Sequence, residues 1–332
     1  MLLSAALTAC TGGPTPSRSA APGTASAGPV SPTIGPSPSP GGAVSGSPSQ
    51  ADPADLADLP SLLIAGPDPA GGTGLWLTAS GRPDLRTRLA LPAGGWRPDA
   101  ASHEAVALTA TSGPPRLLVA ALEGTRLIPG PPLALPPALE QDTSETGFVA
   151  CLAATGDLLF ADQGVALHVI RSDGTVGPTV PAATRGSCAW LGTDAVLFDV
   201  EETHHLGRWR PGHQDVALSD LQLTTPSVGR ALVAALSDDD APGRVVVVRT
   251  PTGPDSGRLD LQVVATLRPA DGDAYQGLAL SSDDAWLVAW GGLDGGATAW
   301  FDAYRWGGSA FSLAGRSALG PGEDVRTIGA GG

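Results

Sequence analysis

The chain of 332 residues contains no lysine and no asparagine, and its 19 Lys-plus-Arg positions are therefore all arginine. Without lysine, neither Schiff-base catalysis nor a P-loop phosphate site is available. Without asparagine there is no acceptor for N-glycosylation. Aromatic residues make up 5% of the chain and cysteines number three. These absences exclude several common enzyme classes before any motif is considered.

Positive charge is also scarce, with 19 basic residues against 33 acidic ones. Once Asp52, Asp55, Asp58 and Arg18 of the N-terminal stretch are set aside, the remainder carries a net charge of about −12. Such a surface repels phosphate backbones and anionic lipid headgroups. We therefore expect no nucleic-acid partner and no peripheral membrane docking.

Composition divides the chain into three parts. Residues 1–10 are apolar, residues 11–60 are rich in Pro, Ser, Gly and Ala, and residues 61–332 carry the recurring apolar runs of a folded domain. A stretch with so little apolar surface cannot offset its chain entropy, so residues 11–60 are predicted to be a disordered tether. One domain, residues 61–332, is left to fold.

The first segment ends in Leu7-Thr8-Ala9-Cys10, an aliphatic residue and two small ones before a cysteine. It resembles the lipobox of bacterial lipoproteins, which implies that Cys10 is lipidated and that the lipid is the membrane anchor. Signal peptides need a basic segment and a longer apolar run, so we expect a truncated leader with a translation start upstream of Met1. The resemblance implies an extracytoplasmic location at the cell membrane.

From Ser61 onward, short apolar or alternating runs are separated by Gly, Pro, Asp and Ser, which is typical of an all-β fold. One type of small, apolar strand recurs roughly every 40 to 47 residues, the period of propeller blades. We assign it to the innermost strand of each blade. The assigned segments are 105–108, 148–151, 188–191, 231–234, 278–280 and 325–328.

This period predicts a single β-propeller of six blades. The segment 325–328 has no partners after it, while residues 61–91 supply three strands, so we expect the C-terminal strand to complete the first blade and close the ring. The alternative is seven blades, if the first blade is self-contained and residues 255–268 belong to another. The turn and strand of 280–289, with Ser281 and Asp283, resemble TolB-like and WD40-like propeller repeats.

Cys151 and Cys188 fall on innermost strands of successive predicted blades. In an exported protein two such cysteines are a candidate disulfide, and two buried, unbridged thiols are the alternative, which the sequence leaves open. Their alignment is offset by about three residues, whereas a bridge needs Cα atoms within about 7 Å.

Acidic and histidine clusters raise the question of a metal. His204 and His205 are adjacent, and adjacent strand residues point to opposite faces, so a solvated strand edge is the favoured interpretation. Asp238, Asp240 and Asp283 are weak candidates for a Ca²⁺ site. Turns favour Asp for backbone reasons alone, and we expect neither a metal nor another cofactor.

Tryptophan is over-represented among the aromatic residues, with eight against two tyrosines. Four aromatic residues lie close together in the last blade and are our candidates for a binding surface that stacks on a sugar or anchors a protein. The competing explanation is that tryptophan fills the spaces between blades. The candidates are Trp290, Trp300, Tyr304 and Trp306.

No serine-hydrolase elbow and no His-x-x-x-His pair occurs in the sequence. We therefore predict a non-catalytic propeller that binds an envelope protein or a cell-wall glycan, with the central mouth as the default site. The alternative is a hydrolase or lactonase-like enzyme with a carboxylate or metal site at that mouth. Asp283, Asp284 and residues 238–240 would supply its carboxylates.

Overall fold

The computed structural model describes residues 53–112, 116–135, 139, 147–162, 166–239, 242–252, 256–269, 272–292 and 299–329. Strands dominate these residues, and the one helix with described bounds is the 3₁₀-helix Pro53–Leu56. No helix among them is long and apolar enough to cross a membrane.

The strands group into six sheets, five of them formed by consecutive chain segments and one that joins the first strands to the last. The first half of the chain supplies β1 (Leu62–Pro67), β2 (Thr73–Ala79), β3 (Arg82–Leu89), β4 (Trp96–Ala101), β5 (Ala105–Ala110), β6 (Arg116–Glu123), β7 (Arg126–Pro129), β8 (Leu133–Ala134), β9 (Phe148–Leu152), β10 (Leu158–Asp162), β11 (Ala166–Ile170) and β12 (Val176–Thr179). The second half supplies β13 (Thr184–Leu191), β14 (Ala195–Val200), β15 (His205–Trp209), β16 (Ala217–Val228), β17 (Leu232–Ser237), β18 (Val245–Arg249), β19 (Gly257–Leu259), β20 (Val263–Leu267), β21 (Tyr275–Leu280), β22 (Trp286–Gly291), β23 (Trp300–Trp306), β24 (Phe311–Ala318) and β25 (Asp324–Ile328).

Each sheet is an antiparallel blade, numbered here along the chain. From the inside outward, blade 1 is β25-β1-β2-β3, blade 2 is β4-β5-β6-β7 with β8, and blade 3 is β9-β10-β11-β12. Blade 4 is β13-β14-β15-β16, blade 5 is β16-β17-β18-β20, and blade 6 is β21-β22-β23-β24. The twelve-residue β16 serves two blades, because Ala217–Gln222 pairs with β15 and Leu223–Val228 pairs with β17.

The inner strands close a ring. They contact one another in the order β25, β4, β9, β13, the second half of β16, β21 and again β25. The pairing of β25 with β1 completes blade 1, where Ile64 lies opposite Val325. The all-β propeller predicted from the sequence period is therefore confirmed, and its first blade combines the two ends of the domain.

Burial explains why the second strands contain few polar residues. Strands β14, β17 and β22 are buried along their whole length, because blades cover both of their faces. Near-continuous apolar runs are typical of strands buried on both faces. Outer strands such as β3 are largely exposed, which permits the charged residues found there.

In blades 2 and 5 the expected order of strands is wrong. Segments 105–108 and 231–234, predicted to be innermost, lie on or beside β5 and β17, which are second strands. The inner strands are β4 and the second half of β16, which contain Pro98 and Pro226. Proline has no backbone N–H to donate to a neighbouring strand. An inner edge strand tolerates this lack, because it is paired on one side only.

The folded part also begins before the expected boundary at Ser61. Leu56 and Leu59 are buried in the cluster that joins blades 1 and 6, beside Leu62 and Trp286. The carbonyl of Leu59 accepts a hydrogen bond from the Gly81 backbone N–H at 2.7 Å. The end of the predicted tether is thus part of the domain.

A different side-chain or covalent link joins each pair of neighbouring blades. At one seam the Asp99 carboxylate accepts a hydrogen bond from the Val149 N–H at 2.9 Å. At the next, Cys151 and Cys188 form a disulfide with Cα atoms 5.7 Å apart, despite the offset in the sequence alignment. In ring order the linked pairs are Arg326 with Asp99, Asp99 with Val149, Cys151 with Cys188, Ser187 with Thr225, Asp284 with Ala231, and Arg86 with Ala318.

Candidate binding surface on blade 5

The ring has two faces, which we define by the direction of the inner strands. The front face is where the inner strands begin, as at Arg185 near the start of β13. The rear face is where they end, as at the turn that follows β21. Contacts between neighbouring blades join strand ends that lie on the same face. Arg185 forms an ion pair with Asp238 at the front, and Asp284 accepts a hydrogen bond from the β16–β17 turn at the rear.

The aromatic candidates of blade 6 are mainly core residues. Trp290, Trp300 and Tyr304 are at most 8% exposed, and Trp306 is half-buried against Phe311. The structure therefore differs from the expected exposed aromatic surface. Trp300 and Tyr304 instead fill the space between blades 5 and 6, and Trp290 that between blades 6 and 1.

A buried polar network accompanies these aromatic rings. The Asp302 carboxylate receives two hydrogen bonds from the Arg316 guanidinium, at 2.6 and 2.9 Å, and one from the Tyr275 hydroxyl at 2.8 Å. The Arg316 guanidinium stacks over the Trp300 ring at 3.8 Å. Burial, together with the neighbouring Tyr304 and Asp302, holds the pKa of Tyr275 far above its ordinary value. Sequence reasoning missed this network because its members come from three strands.

Two of the carboxylates proposed for a metal or an enzyme site lie on opposite faces. Asp238 is at the front, where it pairs with Arg185 and His204; the hydrogen bond from His204 is the main cause that lowers its pKa. Asp283 is in the rear turn after β21 and accepts hydrogen bonds from Ser281 Oγ at 2.6 Å and Ala285 N at 3.0 Å. The third candidate, Asp240, lies outside the described residues.

Asp284 is fixed at the rear seam between blades 5 and 6. It is buried, with φ of 65°, and accepts hydrogen bonds from the backbone N–H groups of Ala231 at 2.7 Å and Leu232 at 3.2 Å. Its carboxylate thus has a structural role. Within the described ranges, no three or more His, Cys, Asp or Glu side chains come together as a metal site.

The inner strands of blades 1 and 2 each carry an ion pair, and one hydrogen bond links the two blades. Arg97 forms an ion pair with Asp99 at 2.7 Å, and Arg326 forms one with Asp324 at 2.7 Å. Arg326 also donates to the Asp99 carbonyl at 2.8 Å. Burial raises the pKa of Asp324, and Arg326 opposes that shift. The expected site at the central mouth thus contains mutually compensated charges.

A cavity of about 170 Å³ lies beside blade 5, and of the carboxylates singled out in the sequence Asp239 lines it. The Ser237 side chain lines it and is 3% exposed, and among the described residues its Oγ has no hydrogen-bond partner. An Asp239–Arg244 ion pair also contributes to the wall. The full lining is Leu221, Gln222, Leu223, Ser237, Asp239, Arg244, Val246, Val263 and Thr266.

The outer strand β20 supplies part of the same wall. It reads Val-Val-Ala-Thr-Leu, and none of its five residues is buried. Val263 is 49% exposed and both Val263 and Thr266 line the cavity. No sequence motif marks β20 itself, because its residues are ordinary strand formers whose exposure depends on their outer position. Blade 5 therefore combines a cavity, a buried hydroxyl and an apolar strand edge.

The closed ring of blades, six among the described residues, defines the class of the protein, a β-propeller. Comparison with protein-family models and with curated protein sequences returns no match. Among solved structures the chain is similar to YCF48 from Cyanidioschyzon merolae, with a TM-score of 0.42 and 12% identity over 77% of this chain and 85% of that one. It is also similar to the WD40 domain of coronin from Toxoplasma gondii, with a TM-score of 0.44 and 12% identity over 78% and 68% of the respective chains.

BamB from Moraxella catarrhalis gives a TM-score of 0.36 and 13% identity, over 78% of this chain and 76% of that one. Similarities this low carry no functional argument. The fold assignment rests on the sheets and on the closed ring of inner strands.

Proposed function

We propose that this protein is an extracytoplasmic lipoprotein, anchored through Cys10, whose propeller binds an envelope protein or a cell-wall glycan without covalent chemistry. The anchor is supported by Leu7-Thr8-Ala9-Cys10 and by the Pro- and Ser-rich stretch that follows it. The disulfide between blades 3 and 4 supports export, because such bonds persist in oxidising compartments.

Binding is supported chiefly by the cavity of blade 5. A buried hydroxyl without a partner costs free energy, and a ligand group that bonds to it removes that cost. The cavity combines this polar atom with apolar walls, as ligand sites commonly do. The apolar edge of β20 extends the surface beyond the cavity.

The anchor is tested by labelling cells with radioactive palmitate. The wild-type chain is expected to carry label and to sediment with membranes, whereas a Cys10→Ala variant is expected to lose both properties. Label retained in the Cys10→Ala variant would contradict lipidation at this residue.

The binding surface is tested by placing a photo-crosslinking amino acid at Val263 in the full chain, in intact cells of the native host. Ile128 is the matched control, since it is also an exposed apolar residue on an outer strand, at 44% against 49% for Val263. A defined adduct at Val263 and none at Ile128 is expected. Equal adducts at both positions, or none at Val263, would contradict a binding surface on blade 5.

A further inference from the structure

We propose that the blade 5 cavity binds the acetamido group of an N-acetylated sugar residue in a glycan. This inference rests on the proposed binding function and names the ligand class of that site. The observations that support it are the walls of the cavity, its size and the buried hydroxyl of Ser237.

The cavity lies at the front of the seam between blades 4 and 5. Strand β16 runs without a loop from the outer edge of blade 4 to the inner edge of blade 5, and its residues Leu221, Gln222 and Leu223 form one wall. At this seam no connecting loop is therefore available to fill the space between the blades. The opposite wall is the face of blade 5 that is turned toward blade 4.

The wall on blade 5 contains side chains from three adjacent strands. Ser237 ends β17, Val246 lies on β18, and Thr266 lies opposite Val246 on β20. Because β17 and β20 are separated by two strand spacings, the cavity extends for about 10 Å from Ser237 toward the outer edge. Ser237 is 3% exposed, whereas Val263 on β20 is 49% exposed. The cavity thus opens outward, and Ser237 lies at its closed end.

The closed end contains a hydroxyl that is available to a ligand. Ser237 Oγ has no hydrogen-bond partner among the described residues. No hydrogen bond holds it in one rotamer, so it can turn toward the cavity without losing a partner. A ligand group that bonds to it removes the free-energy cost of an unsatisfied buried hydroxyl. The closed end therefore favours a ligand with a hydrogen-bonding group at its tip.

The charges of the wall compensate each other. Asp239 and Arg244 line the cavity as an ion pair, so neither sign of charge is in excess, which favours an uncharged ligand. The apolar part of the described lining is aliphatic and contains no aromatic ring. Sugar rings stack on aromatic side chains, whereas a methyl group packs well on aliphatic ones. An acetamido group combines such a methyl with an uncharged amide that donates and accepts hydrogen bonds.

The size of the cavity fits one such group. Its volume of about 170 Å³ corresponds to about six water molecules in the liquid and is below the roughly 300 Å³ at which sites for drug-sized ligands begin. An acetamido group and the adjoining part of its sugar ring fill this space. The ring then leaves the cavity at Val263, with its hydroxyls beside Thr266 and Gln222, and the rest of the glycan lies outside.

The test is saturation-transfer NMR on the full chain, with chitotriose, a trimer of N-acetylglucosamine, as the probe. The acetyl methyl protons are expected to receive the most saturation, because they lie deepest among the aliphatic walls. The de-acetylated trimer and cellotriose are the matched probes without an acetyl group and should bind at least tenfold more weakly. The de-acetylated trimer is cationic, so non-specific attraction to this acidic chain would favour it and cannot explain the expected preference.

The hydroxyl is tested by Ser237→Ala, which should weaken binding of chitotriose about threefold to tenfold. Thr250→Val is the matched control, because Thr250 Oγ1 is also a buried hydroxyl without a partner among the described residues but lies outside the cavity. This control should bind as the wild type does.

The space is tested by Val246→Phe, which fills the cavity and should abolish binding. Val264→Phe is the matched control, since Val264 is likewise a half-buried valine of blade 5 but packs toward blade 6. Absence of saturation at the acetyl methyl, equal binding of the de-acetylated trimer, or unchanged binding to both Ser237→Ala and Val246→Phe would overturn the inference. Equal binding of N-acetylalanine would show that the sugar is not required and would refute a glycan as the ligand.

Two further outcomes separate this inference from the proposed function. A protein adduct at Val263 in cells, without saturation of the acetyl methyl, would leave binding on blade 5 standing and refute the acetamido site. Chitotriose binding that persists in Val246→Phe, together with no adduct at Val263, would contradict both the inference and the binding surface on blade 5.

Discussion

Blades 5 and 6 are neighbours that use polar and aromatic residues in opposite ways. Blade 6 places Trp300, Tyr304, Asp302 and Arg316 in a network sealed at the seam. Blade 5 is built of valine, alanine and leucine, and leaves one buried hydroxyl without a partner beside an exposed apolar edge. The aromatic residues that most suggested a ligand site in the sequence are therefore packing residues, whereas the cavity is bordered by a strand without any motif.

The largest change in stability is expected when the centre of the blade 6 network, Asp302, is removed. An Asp302→Ala variant removes the buried carboxylate that accepts hydrogen bonds from Arg316 and Tyr275. We expect the free energy of unfolding to fall by about 3 kcal/mol or more, as is typical when one partner of a buried ion pair is lost. Denaturant unfolding followed by tryptophan fluorescence measures it.

The matched control is Asp84→Ala, which removes an exposed partner of Arg82 and should leave the unfolding midpoint unchanged. An Asp302→Ala variant as stable as this control would show that the network does not hold blade 6 together.

The seam between the two blades depends on Asp284. An Asp284→Ala variant leaves the Ala231 and Leu232 N–H groups without their carboxylate acceptor. It also places alanine at a φ of 65°, where asparagine and aspartate are better tolerated. We expect a loss of about 1 to 3 kcal/mol in the free energy of unfolding.

Asp284→Asn should recover part of the loss, because it keeps an acceptor oxygen and tolerates this backbone conformation. Hydrogen exchange of the Ala231 and Leu232 amides gives the local readout. Unchanged exchange in Asp284→Ala would contradict the role of this seam.

Stability at alkaline pH distinguishes the two blades, because the buried Tyr275 belongs to blade 6. The pKa of Tyr275 is raised well above its ordinary 10.0, so the folded state holds this proton more tightly than the unfolded state. The resulting stability is complete below pH 10.0 and should decline as the pH rises above it.

Tyrosinate absorbance in a Tyr304→Phe variant isolates Tyr275, because the chain has two tyrosines. We expect its ionisation to coincide with alkaline unfolding. Ionisation of Tyr275 near pH 10.0 in the folded protein would refute the prediction.

The smallest effect is expected in blade 5. Ser237→Ala removes a buried hydroxyl that has no hydrogen-bond partner among the described residues, so the free energy of unfolding should stay the same or rise, by less than about 1 kcal/mol. Thermal unfolding measures the change. A substantial loss would show that Ser237 Oγ is hydrogen-bonded in solution, and would make the two blades more alike than the structure indicates.

Much of the fold could be predicted because it depends on local patterns. The recurring apolar runs indicate blades, and the unpartnered segment at 325–328 indicates how the ring closes. The prediction fails for the inner strands of blades 2 and 5, because the small, apolar pattern marks β5 and β17 there, whereas the inner strands contain Pro98 and Pro226. Their place at the inner edge, where one side needs no donor, becomes clear only in the assembled ring.

The candidate site was less accessible to sequence reasoning. Trp300 and Tyr304 stand out by residue type, but whether an aromatic side chain is exposed depends on the neighbouring blade. Asp238 and Asp283 are both acidic turn residues, yet they lie on opposite faces. Val263 carries no local signal, and the cavity that it lines with Ser237 arises from strands distant in the sequence.

The sequence by itself determined the all-β class, the repeat period and the acidic charge, because hydrophobic alternation and turn residues act over a few neighbouring positions. The tertiary structure alone decided which side chains are buried, which carboxylates meet and which strand edge is uncovered. Those properties depend on packing between blades, and each blade packs against residues that are tens of positions away in the chain.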